Sequence, residues 1–123
     1  MRSKYGNRKV EKDGILFDSR KEASYYLYLK TRLLGGEIEN LRMQVPFELI
    51  PAIYETQIVH LKTKDKTVQK CVQKAVHYVA DFVYTDLAAG KEVVVDTKGF
   101  RTKDYILKKK MMRAFKGIAI TEV

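Results

Sequence analysis

Glu92-Val93-Val94-Val95-Asp96-Thr97-Lys98-Gly99 is the stretch on which the reading of this chain turns. Side chains alternate faces along a β-strand, so the one-residue gap between Asp96 and Lys98 predicts a carboxylate and an ammonium side by side. Carboxylates are hard oxygen ligands suited to Mg²⁺, and a neighbouring amine can hold a phosphate, orient a water or help deprotonate it. A second carboxylate, Asp81, precedes Asp96 with fourteen residues between them. It interrupts His77-Tyr78-Val79-Ala80-Asp81-Phe82-Val83-Tyr84, a β-branched and aromatic run that predicts a buried strand. Burying a lone carboxylate costs on the order of several kcal/mol unless it is paired, neutralised or bound to a cation. Asp81 and Asp96 on neighbouring strands would explain each other.

The surrounding chain is short and basic. Its 123 residues predict one small domain, 1–123, with an apolar fraction of 46% and no run approaching the roughly 20 apolar residues of a membrane span. Met1 to Asp13 is polar and basic, unlike a secretory signal, and the single cysteine, Cys71, excludes an internal disulfide. Both features fit a reducing cytoplasm. A net charge of +9, from 24 basic and 15 acidic residues, favours a polyanionic partner.

The flanking segments give an order of elements. A basic arm over about 1–13, with Arg2, Lys4, Arg8, Lys9 and Lys12, leads to a turn at Asp13-Gly14; it is either a solvated terminus or a phosphate contact. A helix is predicted from Asp18-Ser19 to Gly35-Gly36, with Ala23, Tyr26, Leu29 and Leu33 at helical spacing. Ser19 and Glu22 match a capping box, in which Glu22 bonds back to the helix N-terminus. Alternatively, Glu22 points over the sheet and reaches a metal. Ile38 to Ile50 reads as extended, with Pro46 at an edge, bulge or strand end, and Gln44 is either a surface residue or an amide near the site. Residues 58–76 predict an inserted hairpin carrying Lys62, Lys64, Lys66, Lys70 and Lys74, a solvated surface or a grip on a nucleic-acid backbone.

After the Asp81 and Asp96 strands, Thr102 can cap a second helix running to about Phe115, with Leu107, Met111, Ala114 and Phe115 as its apolar face. Lys109 and Arg113 lie opposite and, with Lys103, Lys108 and Lys110, form a basic surface. Gly117 ends that helix and Ile118-Ala119-Ile120 predicts a last strand. The fold class is therefore α/β, a mixed α+β sheet in the order α, β, β, β, α, β with an inserted basic hairpin.

The set Glu22, Asp81 and Asp96-Thr97-Lys98 resembles the PD-(D/E)xK nuclease superfamily. More closely, the chain is similar to a small phage and prophage family catalogued as a domain of unknown function. Lys4-Tyr5-Gly6-Asn7-Arg8-Lys9, Phe17-Asp18-Ser19-Arg20-Lys21-Glu22-Ala23, Gln44-Val45-Pro46-Phe47-Glu48-Leu49 and Tyr78-Val79-Ala80-Asp81-Phe82 carry that closer match. The resemblance implies a restriction-endonuclease-like core and Mg²⁺- or Mn²⁺-dependent hydrolysis of DNA on branched or recombination intermediates such as Holliday junctions. It also implies a homodimer in the cytoplasm of a bacterial host. Asp81 and Asp96 are the expected metal ligands, the Thr97 carbonyl a further one, Glu22 an outer or water-mediated one, and Lys98 the residue that positions or activates the nucleophile. Arg8, Lys9, Gln44, Lys64, Lys66, Arg101, Lys103, Lys109 and Arg113 are the expected DNA contacts. Ala80 stands where the superfamily has its named proline, and Asp96 takes a position more often held by glutamate.

Other chemistries lack residues. His60, His77 and Cys71 show no zinc-binding spacing, and no Walker-type glycine run precedes a lysine. Two competing readings stand: a non-catalytic DNA-binding accessory module, binding with salt sensitivity and no cleavage, and a plain Asp96–Lys98 salt bridge on a strand.

Overall fold

A computed structural model describes residues 8–123. The strands β1 (Val10–Lys12) and β2 (Ile15–Phe17) form a hairpin, so the predicted basic arm ends in structure; Arg2 and Lys4 lie outside the described residues. Asp13 and Gly14 turn it with φ of 52° and 75°, the two positive values that a tight two-residue hairpin turn requires. Helix α1 (Arg20–Leu34) follows, its Ser19 hydroxyl accepting a hydrogen bond from the Glu22 amide. Ala23, Tyr26 and Leu29 are buried along one side, as their spacing predicts.

The chain then runs through β3 (Ile38–Ile50), β4 (Ile53–His60), β5 (Asp65–Gln73), β6 (Val76–Asp86) and β7 (Lys91–Asp96). Helix α2 (Lys103–Met111) continues into a π-helical turn, Met112–Lys116, and β8 (Thr121–Glu122) closes the order. One mixed sheet has the order β3-β6-β7-β8, antiparallel except for the parallel β7–β8 pair. Pro46 lies on β3, an edge strand, where a missing N–H costs no ladder bond on the open side. The strands β4 and β5 pair only with each other.

Each face of the sheet has its own core. Phe17, Ala23, Tyr26 and Leu29 pack with Phe82, Tyr84 and Val95 on the α1 side. Tyr105, Met112 and Ile120 pack with Tyr78, Ala80, Val83 and Val94 on the α2 side. Simple alternation fails in the middle of this arrangement. Leu41 and Met43 of β3 join the α1 side, whereas Val45, Phe47 and Leu49 join the α2 side. Residues two apart should share a face, so β3 rotates between Met43 and Val45. Gln44 supplies the rotation, with a φ of 52°. Its neighbour β6 changes sides at the same level, Ala80 facing α2 and Phe82 facing α1, which puts Asp81 on the seam.

Several expectations are corrected. The hairpin spans Ile53–Gln73 rather than 58–76, because residues 53–57 pair with 68–73 and Val76 already belongs to β6. The α2 side that reaches the core carries Tyr105 and Met112, while Leu107 and Phe115 are exposed. Tyr105 and Met112 are seven apart, two helical turns, and the sheet with Glu122 selects that stripe over the more apolar one. The last strand is Thr121–Glu122 rather than Ile118–Ile120, since Thr121 and Glu122 are the residues that pair with Val95 and Asp96. Gly117, at φ 67°, ends the helix as expected. Among the described residues, no helix is long and apolar enough to cross a membrane.

Candidate functional site

The C-terminal end of β7, an interior strand, brings the predicted residues together. Phe82 pairs with Val95, so Asp81 and Asp96 are next in line on adjacent strands. The strand ends at Asp96, and alternation therefore does not place Lys98. A loop does: the Lys98 ammonium lies 3.9 Å from Asp96 Oδ1 and 5.1 Å from the centre of the Tyr105 ring. The main chain of this loop is tied to α1, where Lys21 Nζ donates to the Lys98 carbonyl at 3.4 Å.

Asp96 is 1% exposed, whereas Asp81, predicted as a buried acid, is only half-buried. Tyr78 donates its hydroxyl proton to Asp96 Oδ2 at 2.6 Å. The other oxygen, Oδ1, is buried and has no hydrogen-bond donor, for Lys98 stands beyond hydrogen-bonding distance. Burial pushes the Asp96 carboxyl up and the charges of Asp81 and Glu122 add to this, while the Tyr78 bond and Lys98 pull it down. Asp81 is held differently. Its Oδ2 accepts from both the amide and the hydroxyl of Thr97, each at 2.8 Å.

Glu22 faces this cluster. Only the Ser19 half of the predicted capping box forms, and the Glu22 side chain turns over the sheet. Gln44 Nε2 donates to Glu22 Oε1 at 3.2 Å and to Asp81 Oδ1 at 3.4 Å, bridging the two. Burial, followed by the charges of Asp81, Asp18 and Asp96, raises Glu22 to about 7 despite the Gln44 bond. A residue in the left-handed region costs on the order of 1–3 kcal/mol, and such strain collects at functional sites. Gln44 carries it at the point where its amide joins two carboxylates.

These groups border a cleft of about 210 Å³ lined by Asp18, Glu22, Asp81, Thr97 and Lys98, among others. A neighbouring cleft of about 400 Å³ shares Asp18 and Glu22 and extends past Gln44, Met43 and Leu16.

The expected DNA contacts divide. Arg8, Lys9, Lys64, Lys66 and Lys103 are exposed. Arg101, Lys109 and Arg113 line a separate concave surface of about 530 Å³ with Tyr105 and Lys110. Two of these cations are already paired: Glu122 Oε1 accepts from Arg101 at 2.7 Å and from Lys109 at 2.9 Å. Its Oε2 accepts from the Tyr105 hydroxyl at 2.9 Å. The Lys109 bond, with Tyr105 and Arg101 assisting, holds the Glu122 carboxyl below its usual range against the effect of burial. Lys109 is thus half-buried in an ion pair rather than free on an exposed face.

Sequence reasoning missed Tyr78, Tyr105, Glu122 and Asp18. Tyr78 sits three residues before Asp81 with no spacing that marks it, and Glu122 reaches Asp96 only through the β7–β8 register.

Among the described residues, no three His, Cys, Asp or Glu side chains are grouped to hold a metal ion by themselves. Mg²⁺ does not require such a cage, because it keeps several waters and is held by one or two carboxylates plus substrate phosphates. The donorless Asp96 Oδ1 beside Asp81 fits that kind of site.

Fold and site together define a small mixed α+β protein with an acidic cleft where β7 ends beside the middle of β6, bordered by a lysine. The chain belongs to the family described as protein of unknown function (DUF1064), whose model matches residues 2–121. Neither a curated protein nor a solved structure matches the chain.

Proposed function

We propose that this chain is a metal-dependent endodeoxyribonuclease that hydrolyses DNA phosphodiesters. The observation that carries the proposal is Asp96 Oδ1, a buried carboxylate oxygen with no donor, next to a second carboxylate and a lysine. An unsatisfied buried polar atom costs about 1–3 kcal/mol, more when charged, and a divalent cation relieves that cost. The order α1, β3, β6, β7, α2, β8 also supports a restriction-endonuclease-like core of the PD-(D/E)xK kind.

Asp81 and Asp96 would hold Mg²⁺ or Mn²⁺, with the Thr97 carbonyl as a further donor and Glu22 acting through water. When bound, such an ion polarises a phosphoryl oxygen and makes a coordinated water more acidic. The chain's own residues prepare the site. Tyr78 holds Asp96 Oδ2 and leaves Oδ1 free. Thr97 fixes Asp81 Oδ2, and Gln44 ties Asp81 Oδ1 to Glu22. Lys98, set against the Tyr105 ring, presents its ammonium to a phosphate oxygen or an attacking water. Branched recombination intermediates such as Holliday junctions are the substrates this reading favours. A homodimer would supply the two sites that paired cuts need. A phage-encoded enzyme working in the bacterial cytoplasm completes the same reading.

The test is cleavage of end-labelled four-way-junction, flap, single-stranded and duplex DNA with Mg²⁺, Mn²⁺ or EDTA, beside Asp96→Asn. Metal-dependent cutting that the variant loses is the expected result, with paired symmetric nicks marking a junction resolvase. Tight, salt-sensitive binding by both proteins without any cutting would replace the enzyme with a DNA-binding accessory module.

A further inference from the structure

The ribbon formed by β4 and β5 stands apart from both cores. Every residue of β4 is exposed, as is every residue of β5 except the half-buried Val68. An isolated two-stranded hairpin is marginally stable in water, and nothing in either core explains its side chains.

Its register sorts those side chains into two unlike faces. Val59 pairs with Lys66, Gln57 with Val68 and Glu55 with Lys70 on one face, since paired residues project to the same side. Thr56 with Gln69 and Ile58 with Thr67 occupy the other, along with Tyr54 opposite Cys71. Near the tip of that second face, Asp65 is held by His60 Nδ1 at 2.8 Å. Both strand lysines therefore share one face, while Lys62 and Lys64 lie in the turn and Lys74 at the base. Glu55, opposite Lys70, offsets part of that charge.

We propose that this lysine face lies in the major groove of duplex DNA, with Lys66 and Lys70 reaching phosphates along the groove. The two lysines are four positions apart on β5, about 13 Å along the strand at ~3.3 Å per residue, and a ribbon built on the eight-residue β4, about 26 Å long, fits the groove only lengthwise. The major groove is about 12 Å wide and admits a two-stranded ribbon. Between the lysines stand Gln57 and Val68, an amide that can bond an adenine edge and an apolar group that can meet a thymine methyl. A single strand suits the face poorly, because it lacks an aromatic stacking platform; the ribbon's one aromatic residue, Tyr54, is on the other side. The inference rests on the DNA reading above and specifies duplex, gripped away from the acidic cleft.

The test measures binding without cutting. Full-length Asp96→Asn protein in EDTA, with and without Lys66→Gln and Lys70→Gln together, is titrated with a short duplex and with one of its strands across a salt series. Each phosphate contact contributes about 0.9 to the slope of log affinity against log salt, so the lysine pair should lower the duplex slope by about 1.8. Guanine N7 protection from dimethyl sulfate should appear with the intact ribbon and disappear with the double variant. An unchanged slope and affinity would overturn the proposal, as would competition by a minor-groove ligand with no N7 protection. Loss of a dimer by the double variant, with duplex affinity retained, would instead assign the ribbon to a second copy of the chain and also overturn it. The two proposals fail separately: N7 protection without cleavage by the unaltered protein sinks the nuclease alone, and cleavage without N7 protection sinks the ribbon alone.

Discussion

The ribbon Ile53–Gln73 and the strand pair β6–β7 are both antiparallel and both rich in β-branched residues, yet only one pair is sandwiched. Phe82, Val83 and Val95 are fully buried between two helical layers, while Ile58 in the ribbon is 63% exposed. Backbone pairing is thus shared, and burial makes the difference. Side chains in the sandwiched pair can be held against a buried charge, as Tyr78 holds Asp96. Those on the ribbon meet solvent or a partner. The sandwich suits chemistry that needs fixed distances, and the ribbon suits contact with a large surface.

The sharpest way to break this contrast is to exchange the effects of mutation. Asp81→Asn, Asp96→Asn and Lys98→Ala are each expected to lower cleavage by roughly 10³-fold or more, corresponding to about 4 kcal/mol of transition-state stabilisation. Circular dichroism should show all three folded. Lys66→Gln with Lys70→Gln should raise KM and leave kcat near its starting value. Equal losses of kcat in both groups, measured by single-turnover kinetics, would erase the division of labour.

Hydrogen exchange offers a second test that needs no substrate. Amides of Phe82 and Val95 should open only with global unfolding, whereas those of Ile58 and Thr67 should open locally. Their protection should differ by at least ~10³-fold. Comparable protection would mean that something in the protein covers the ribbon.

The acidic cleft should also respond to pH in a way the ribbon does not. Glu22 is raised to about 7 in the folded protein from the ordinary glutamate value of 4.5 in the unfolded chain, so the folded state holds the extra proton between those values. The contribution of Glu22 to stability without metal should therefore be greatest below 4.5 and decline as pH rises to 7, by up to about 3 kcal/mol, whereas Asp86 and Glu122, whose carboxyls are held low, stabilise the fold above the acid range and lose that contribution as pH falls. Denaturant titrations in EDTA should show the decline, Glu22→Gln should flatten it, and Mg²⁺ should offset it, because ligation requires the deprotonated carboxylates. A profile that Glu22→Gln leaves unchanged would remove Glu22 from the cluster.

The smallest effect concerns the seam. Gln44→Gly relieves a left-handed backbone strain that Gln44→Ala retains, so the glycine variant should be the more stable by about 1 kcal/mol in urea. Both lose the amide that joins Glu22 to Asp81, and both should bind Mg²⁺ more weakly.

Much of this was legible without coordinates. The Ala23, Tyr26 and Leu29 spacing marked the buried side of α1, and Ile38 to Ile50 matched β3 to the residue. The second helix was misread because Leu107 and Phe115 form the more apolar stripe, yet the side that faces the core is the one whose tyrosine reaches Glu122. Lys98 came close to Asp96 as expected, although a loop rather than strand alternation put it there.

By itself the sequence determined the order of elements from α1 onward, the basic balance and the placing of Asp81 and Asp96 on two strands, because periodicity and charge are local properties. Tertiary structure decided the rest. Gln44 turns β3 over between Met43 and Val45, Tyr78 takes one oxygen of Asp96 and leaves the other bare, and Glu122 claims Arg101 and Lys109. Each depends on which side chains meet across residues far apart in the chain, and burial sets that outcome by making an unpaired polar group too costly to leave without a reason.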